Sequence, residues 1–221
     1  MNLYTLDIIN SITEHLNIID ILKLKKMSKY YYQNIKILYF GVNYIDNKYI
    51  TNEILDKFPD VRKIYLHDID NLSNINQLKY LNTLKIDGLC SINYNAIKKL
   101  KKIREIDISY NIYIKRIPKA RIKILKINGN SLLDNRALKH LDLEELDCSF
   151  NNKISKISDF PNLKKLIIRY DSKITETEIN IHPNIEYLDI SYNYNIRNIT
   201  NKNIKFIIFD NDHPIKNNLI I

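Results

Sequence analysis

Apolar residues recur along this chain in the spacing apolar-x-x-apolar-x-apolar-x-x-Asn. Ile103, Ile106, Ile108 and Asn111 define it, and Ile122, Leu125, Ile127 and Asn130 repeat it. So do Leu143, Leu146, Cys148 and Asn151, and Ile185, Leu188, Ile190 and Asn193. Leu163, Leu166 and Ile168 end instead on Asp171, and Ile204, Ile207 and Phe209 on Asp212. Towards the N-terminus, Leu81, Leu84 and Ile86 end on Leu89, and Val61, Ile64 and Leu66 on Ile69; Ile35, Leu38, Phe40 and Asn43 form a candidate earlier copy. First positions from Val61 onward fall at 61, 81, 103, 122, 143, 163, 185 and 204. Eight windows in near-constant phase, stepping by 19 to 22 residues, mark a repeat architecture. Alternation within each window predicts a short strand, with Leu146 and Cys148 on one face and Glu145, Asp147 and Ser149 on the other. The pentapeptide Asp107-Ile108-Ser109-Tyr110-Asn111 returns letter for letter at 189–193, and as Asp147-Cys148-Ser149-Phe150-Asn151 between them. It is the strand-and-turn half of the repeat, and Asp107, Ser109, Asp189 and Ser191 are expected to point into an open concave face.

The pattern resembles the leucine-rich repeat, L-x-x-L-x-L-x-x-N-x-L, over about residues 60–215. That resemblance implies an α/β repeat fold: a leucine-rich repeat solenoid, with a curved parallel sheet of short strands and a convex side made mostly of loop and 3-10 turns. About eight repeats, with a C-terminal cap, would fill residues 41–221. The Asn is expected to turn inward and bond turn backbone. Asp171 and Asp212 lack an amide donor, so their turns should be weaker. Ile114, Leu133, Ile154, Ile174, Ile196 and Ile215 follow three positions later and should fill the core. Helices are expected near Asn52–Lys57, Tyr94–Lys101 and Asn135–His140. A solenoid must cap its ends, and Leu219–Ile221 are expected to fold over the last repeat.

Residues 3–35 break the period, and residues 1–40 are expected to form a separate helical head. Leu6, Ile9, Ile12 and Leu16 share a helical face; Asp20 and Ser28 are candidate caps of a second and a third helix. Leu6, Ile9, Leu16, Asp20, Ile21, Leu22, Met27, Ser28 and Lys29, followed by an aromatic among Tyr30–Tyr32, resemble the F-box, with Asp7 in place of its usual Pro and Tyr in place of its usual Trp. The resemblance implies an F-box-like helical head that binds a Skp-type adaptor of a cullin ubiquitin ligase through Leu6, Ile9, Leu16, Ile21 and Leu22, while the repeats hold the substrate. The alternative is a leucine-rich repeat binding module whose N-terminal helices only cap the solenoid.

Composition changes this picture little. Ile, Asn and Lys are abundant and Gly numbers three, a bias expected of an AT-rich genome such as those of some large DNA viruses and protists. The net charge is +9, from 34 Lys and Arg against 25 Asp and Glu. The cations are spread and mixed with carboxylates, which disfavours a nucleic-acid partner. Two cysteines are too few for a disulfide framework or zinc site. With no basic leader at the N-terminus and no apolar run near the roughly 20 residues of a membrane span, a cytoplasmic or nuclear monomer is expected, in the host cytoplasm if the chain is viral. His15, His67, His140, His182 and His213 lack metal-ligand spacing, and Glu105, Asp107, Glu145, Asp147 and Asp189 lie on an open ladder without a pocket. No catalytic residue, metal or cofactor is expected, and the chain reads as an adapter rather than an enzyme. Its protein substrate is expected on the concave face. There Ile167, Tyr187, Phe206 and Ile208 collect in the last three repeats as apolar anchors, rimmed by Glu145, Asp147 and Arg169.

Overall fold

In the computed structural model the described residues are 8, 16, 18–35, 37, 39–40, 50–67, 72–87, 90–129 and 132–217. Their spine is one parallel sheet whose strands follow chain order. These are β1 (Tyr39–Phe40), β2 (Lys63–His67), β3 (Thr83–Asp87), β4 (Glu105–Asp107), β5 (Ile124–Lys126), β6 (Glu145–Asp147), β7 (Lys165–Ile167), β8 (Tyr187–Asp189) and β9 (Phe206–Ile208). Each strand pairs with its sequence neighbours, as a solenoid requires. The register runs Lys63, Thr83, Glu105, Ile124, Glu145, Lys165, Tyr187, Phe206 across the sheet. The inward residue between the outer two of β2 to β8 (Ile64, Leu84, Ile106, Leu125, Leu146, Leu166, Leu188) is fully buried, whereas Ile207 of β9 is partly buried. Burying one such side chain contributes about 1.5–3 kcal/mol, so the repeated anchors set the register: a one-residue slip would turn every one of them to solvent.

The convex side joins the strands with short helical pieces: α3 (Asn52–Lys57), a 3-10 turn (Asn74–Gln77), α4 (Tyr94–Ile97), α5 (Asn135–Leu138), α6 (Glu176–Ile181) and a 3-10 turn (Pro214–Asn217). The helices at Tyr94 and Asn135 are shorter than expected, and α6 was not expected. Thr175 starts α6 by accepting from the Glu178 amide. Polar side chains on this side reach one repeat onward. Asn52 accepts from the Ser73 and Asn74 amides, Asn76 from Lys99, Asn135 from Ser155, and Asn180 from Thr200. Glu176 accepts from the Arg197 and Asn198 amides. Loops without a regular ladder of their own thereby satisfy their backbone donors.

The N-terminal segment supplies α1 (Ile18–Met27) and α2 (Lys29–Asn34), numbered ahead of α3. Ser28 caps α2, its hydroxyl accepting from the Tyr31 amide at 3.1 Å. Asp20 lies inside the first turn of α1 rather than before it, where it pairs with Lys23 at 3.0 Å. Ile21 is 2% exposed and belongs to the solenoid core; Leu16 and Leu22 pack partly against that core. This corrects the expectation that Ile21 is exposed to an adaptor: its side chain is buried in the core cluster. Lys25 ties the junction, its ammonium donating to the Ile35 carbonyl at 2.6 Å, and burial lowers its pKa. Leu6, Ile9 and Ile12, the turn Asn130, the window ends Ile69 and Leu89, and the proposed cap Leu219–Ile221 lie outside the described residues.

Candidate binding surface

The end of each central strand is shaped by one turn. Asp107 Oδ1 accepts from the Ser109 amide at 3.1 Å and its hydroxyl at 2.7 Å. Asp189 repeats this with Ser191 at 3.1 and 2.7 Å, and Asp147 takes the Ser149 amide at 3.0 Å. The next residue swings into the left-handed region: Tyr110, Gly129, Phe150, Tyr170 and Tyr192 have φ between 56° and 63°. That conformation costs a non-glycine residue about 1–2 kcal/mol. At Gly129 a Cβ would come within 2.7 Å of the Tyr110 ring, which leans over it. The turn closes on the Asn: Asn111 accepts from the Tyr113 and Ile114 amides, both at 2.9 Å, and donates to the Cys90 carbonyl at 3.0 Å. Asn151 accepts from the Lys153 and Ile154 amides at 2.9 and 3.2 Å.

Two consequences follow for the concave face. The left-handed residues present an exposed aromatic row along its border, in which Phe150 stacks on Tyr170 (centroids 4.2 Å) and Tyr170 on Tyr192 (5.1 Å). Sequence reasoning missed this row, because only the positive φ separates these rings from the alternating strand positions. The second consequence corrects an expectation. The strand carboxylates do not stand free in an open groove, because Asp107, Asp147 and Asp189 fold back onto their own turns, and Asp189 is wholly buried.

Asp189 also receives Arg169 Nε at 2.8 Å and Nη2 at 2.6 Å. Burial pushes its carboxyl up, but this guanidinium fork and the two Ser191 donors outweigh that and hold the pKa below the ordinary value. Asp147 has the opposite balance. Burial outweighs the Ser149 donors and the charge of Arg169, and its pKa rises.

Among the expected anchors, Ile167 is corrected: it is 8% exposed. Phe206 and Ile208 on β9 are 64% and 42% exposed, and Tyr187 beside them is half-buried with the Lys165 ammonium 5.1 Å from its ring centre. Lys165 also pairs with Glu145 at 3.4 Å. The structure therefore places Tyr187, Phe206 and Ile208 on the two C-terminal strands, with Arg169 bonded to Asp189 beside them and Glu145 three strands back on β6, and it buries Ile167 and Asp189.

Other chemistry is quiet. Cys90 and Cys148 are buried, and burial pushes the Cys148 thiol far up. His182 is buried, takes the Asn184 amide on Nδ1 and faces the Phe160 carbonyl with Nε2; its pKa is lowered, chiefly by burial. Among the described residues no group of three or more His, Cys, Asp or Glu could hold a metal ion, and no helix is long and apolar enough to cross a membrane.

No family model matches the chain. Aligned over 157 residues, with 68% of this chain covered, it is 32% identical to the Putative leucine-rich repeat protein R380 of Acanthamoeba polyphaga mimivirus. The architecture is that of a leucine-rich repeat protein. The mimiviral relative supports that family, and the match spans 35% of the relative's length. Two solved structures are similar to this leucine-rich repeat chain. One is in the octameric complex of Latrophilin 3, Unc5D and FLRT2 (19% identity, TM-score 0.45, covering 81% of this chain and 76% of that one). The other is in the TLR13–ssRNA13 complex (15% identity, TM-score 0.40, covering 79% and 31%).

Proposed function

We propose that this leucine-rich repeat chain is a protein-binding module that seats a partner on the C-terminal end of its concave face. The observation that carries this reading is the exposure of Phe206 and Ile208 side by side on β9. Large exposed apolar side chains in a cluster mark interaction surfaces, and aromatic anchors dominate such interfaces. Arg169, oriented by Asp189, supplies a fixed cation beside them. The partner is captured from a lysate of the source cell and identified by mass spectrometry. The double variant Phe206→Ala, Tyr187→Ala is expected to lose it at unchanged thermal stability; retention by the folded double variant rejects this surface.

We further propose that the module is the substrate-holding part of an F-box-type receptor, its head meeting a Skp-type adaptor of a ubiquitin ligase. Ser28 capping α2 and the incomplete burial of Leu16 and Leu22 support this reading. The second reading, a plain cap, is favoured by Ile21, which α1 inserts into the solenoid core. Co-purification of the full chain with a eukaryotic Skp-type adaptor separates the two. Binding at micromolar concentration that is lost in Leu16→Asp supports the F-box reading, and absence of wild-type binding leaves the cap.

A further inference from the structure

The strand-entry edge of the first repeats holds a cleft that the concave face does not share. It has a volume of about 470 Å³ and is lined by Arg62, Tyr80, Asn82, Lys101, Lys102, Arg104, Arg121 and the buried Ile103. Five cations meet there from three of four successive repeat boundaries, those leading into β2, β4 and β5, and no carboxylate lines it. The scaffold beneath is stiff. The Arg62 carbonyl accepts from the Asn82 and Thr83 amides (2.8 and 3.1 Å). Asn82 does the same for Arg104 and Glu105 (2.9 and 3.0 Å), and Arg104 for Lys123 and Ile124 (2.8 and 3.1 Å). Arg62, Asn82 and Arg104 therefore stack one strand apart in a single column.

Later repeats treat the same edge differently. Lys123 is neutralised by Asp142 at 2.6 Å and Glu144 at 3.2 Å, and Lys205 by Glu186 at 2.7 Å. Among the described residues no ion pair joins Arg62, Lys101, Lys102, Arg104 or Arg121 to a carboxylate. Lys102 instead lies 4.7 Å from the ring centre of Tyr80, which is 48% exposed. Five like charges held together without counter-charge repel one another. A bound polyanion would relieve that repulsion.

We propose that this cleft binds a compact ligand carrying two or more phosphate groups. Three guanidinium forks suit phosphate, which accepts paired hydrogen bonds from an arginine, and the Asn82 amide adds a neutral donor. The volume falls in the range of small-ligand sites. The inference is independent of the protein-binding reading, whose residues lie at the other end of the sheet.

The test is calorimetric titration of the full chain with sodium tripolyphosphate and with orthophosphate at equal, low ionic strength. Tripolyphosphate is expected to bind at least tenfold more tightly than orthophosphate. The exposed triple variant Arg62→Ala, Arg104→Ala, Arg121→Ala is expected to weaken it at least tenfold. The charge-matched control Lys139→Ala, Lys153→Ala, Lys173→Ala should bind like wild type, and Arg104→Gln alone should weaken binding measurably. Absence of wild-type binding, or equal losses in the cleft and control variants, overturns the proposal. Vesicles bearing a bisphosphorylated inositol headgroup, beside phosphatidylserine vesicles of equal charge, identify the source. Co-sedimentation with the former alone, displaced by tripolyphosphate, assigns a lipid headgroup; binding of tripolyphosphate without co-sedimentation assigns a free ligand. Both support the site. A short oligothymidylate that binds more tightly than tripolyphosphate overturns the compact-ligand assignment in favour of a nucleic-acid strand.

Discussion

The turn after β6 and the turn after β8 carry nearly the same five residues, yet different bonds hold them. After β6 the Asn does most of the holding, since Asn151 takes two amides and its neighbour Asp147 takes the Ser149 amide. After β8 the carboxylates hold. Asp189 binds Ser191 twice and Arg169 twice, and Asp210 takes the Tyr192 amide at 2.7 Å, whereas Asn193 Oδ1 has no partner and its amide donates to the Ile168 carbonyl at 2.8 Å. A repeat fixes the shape of a turn. Neighbouring side chains then decide which of its residues bear the load.

Urea unfolding of four single variants at pH 7 breaks or sharpens this contrast. Asn151→Ala leaves two amides, one of them buried, without acceptors and is expected to cost about 3 kcal/mol. Asp189→Asn strands the Arg169 guanidinium, which is half exposed and so partly rescued by water; a loss of about 2 kcal/mol is expected. Asn193→Ala removes one bond, and about 1 kcal/mol is the expected cost; a loss as large as that of Asn151→Ala would erase the distinction between the turns. Asp147→Asn keeps an acceptor for Ser149 and removes a charge that burial disfavours, so stability should stay level or rise by about 0.5 kcal/mol.

The pH dependence of the two carboxylates has opposite sign. The depressed pKa of Asp189 makes its contribution complete above the unfolded value, about 4, and lost as pH falls through the folded value below it. The raised pKa of Asp147 means that its folded form keeps a proton longer, so its contribution declines as pH rises from about 4 through the folded value. Stability profiles between pH 2 and 7 should therefore lose acid sensitivity in Asp189→Asn and lose the decline above pH 4 in Asp147→Asn.

Strand positions were readable in the sequence because one physical quantity, burial of an alternating apolar residue, sets them; Ile64, Leu84 and Ile106 are at once the pattern and the register. What depends on side-chain direction was not. Arg169 reaches across to Asp189 on the next strand, and Ile167 sinks beside it, although both stand on outward positions. Tyr110, Phe150, Tyr170 and Tyr192 adopt a backbone region that sequence assigns to glycine, as at Gly129. The cationic cleft draws one to four residues from each of four segments, so no single run announced it. Abundant Asn was credited to genome bias, yet Asn52, Asn76, Asn135 and Asn180 bridge repeats. The helix Glu176–Ile181 did carry a signal in Thr175-Glu176-Thr177-Glu178, the spacing of a capping box.

The ring stack along the border gives the chain a built-in optical gauge. The protein has no tryptophan and sixteen tyrosines, so its near-ultraviolet signal comes chiefly from tyrosine. Phe150, Tyr170 and Tyr192 reach their fixed stack only when three successive repeats are seated on one another. Near-ultraviolet dichroism, which vanishes when side-chain packing loosens while secondary structure persists, therefore reads the docking of repeats separately from the formation of their strands. A Tyr170→Leu variant should dim that signal and leave the far-ultraviolet spectrum in place.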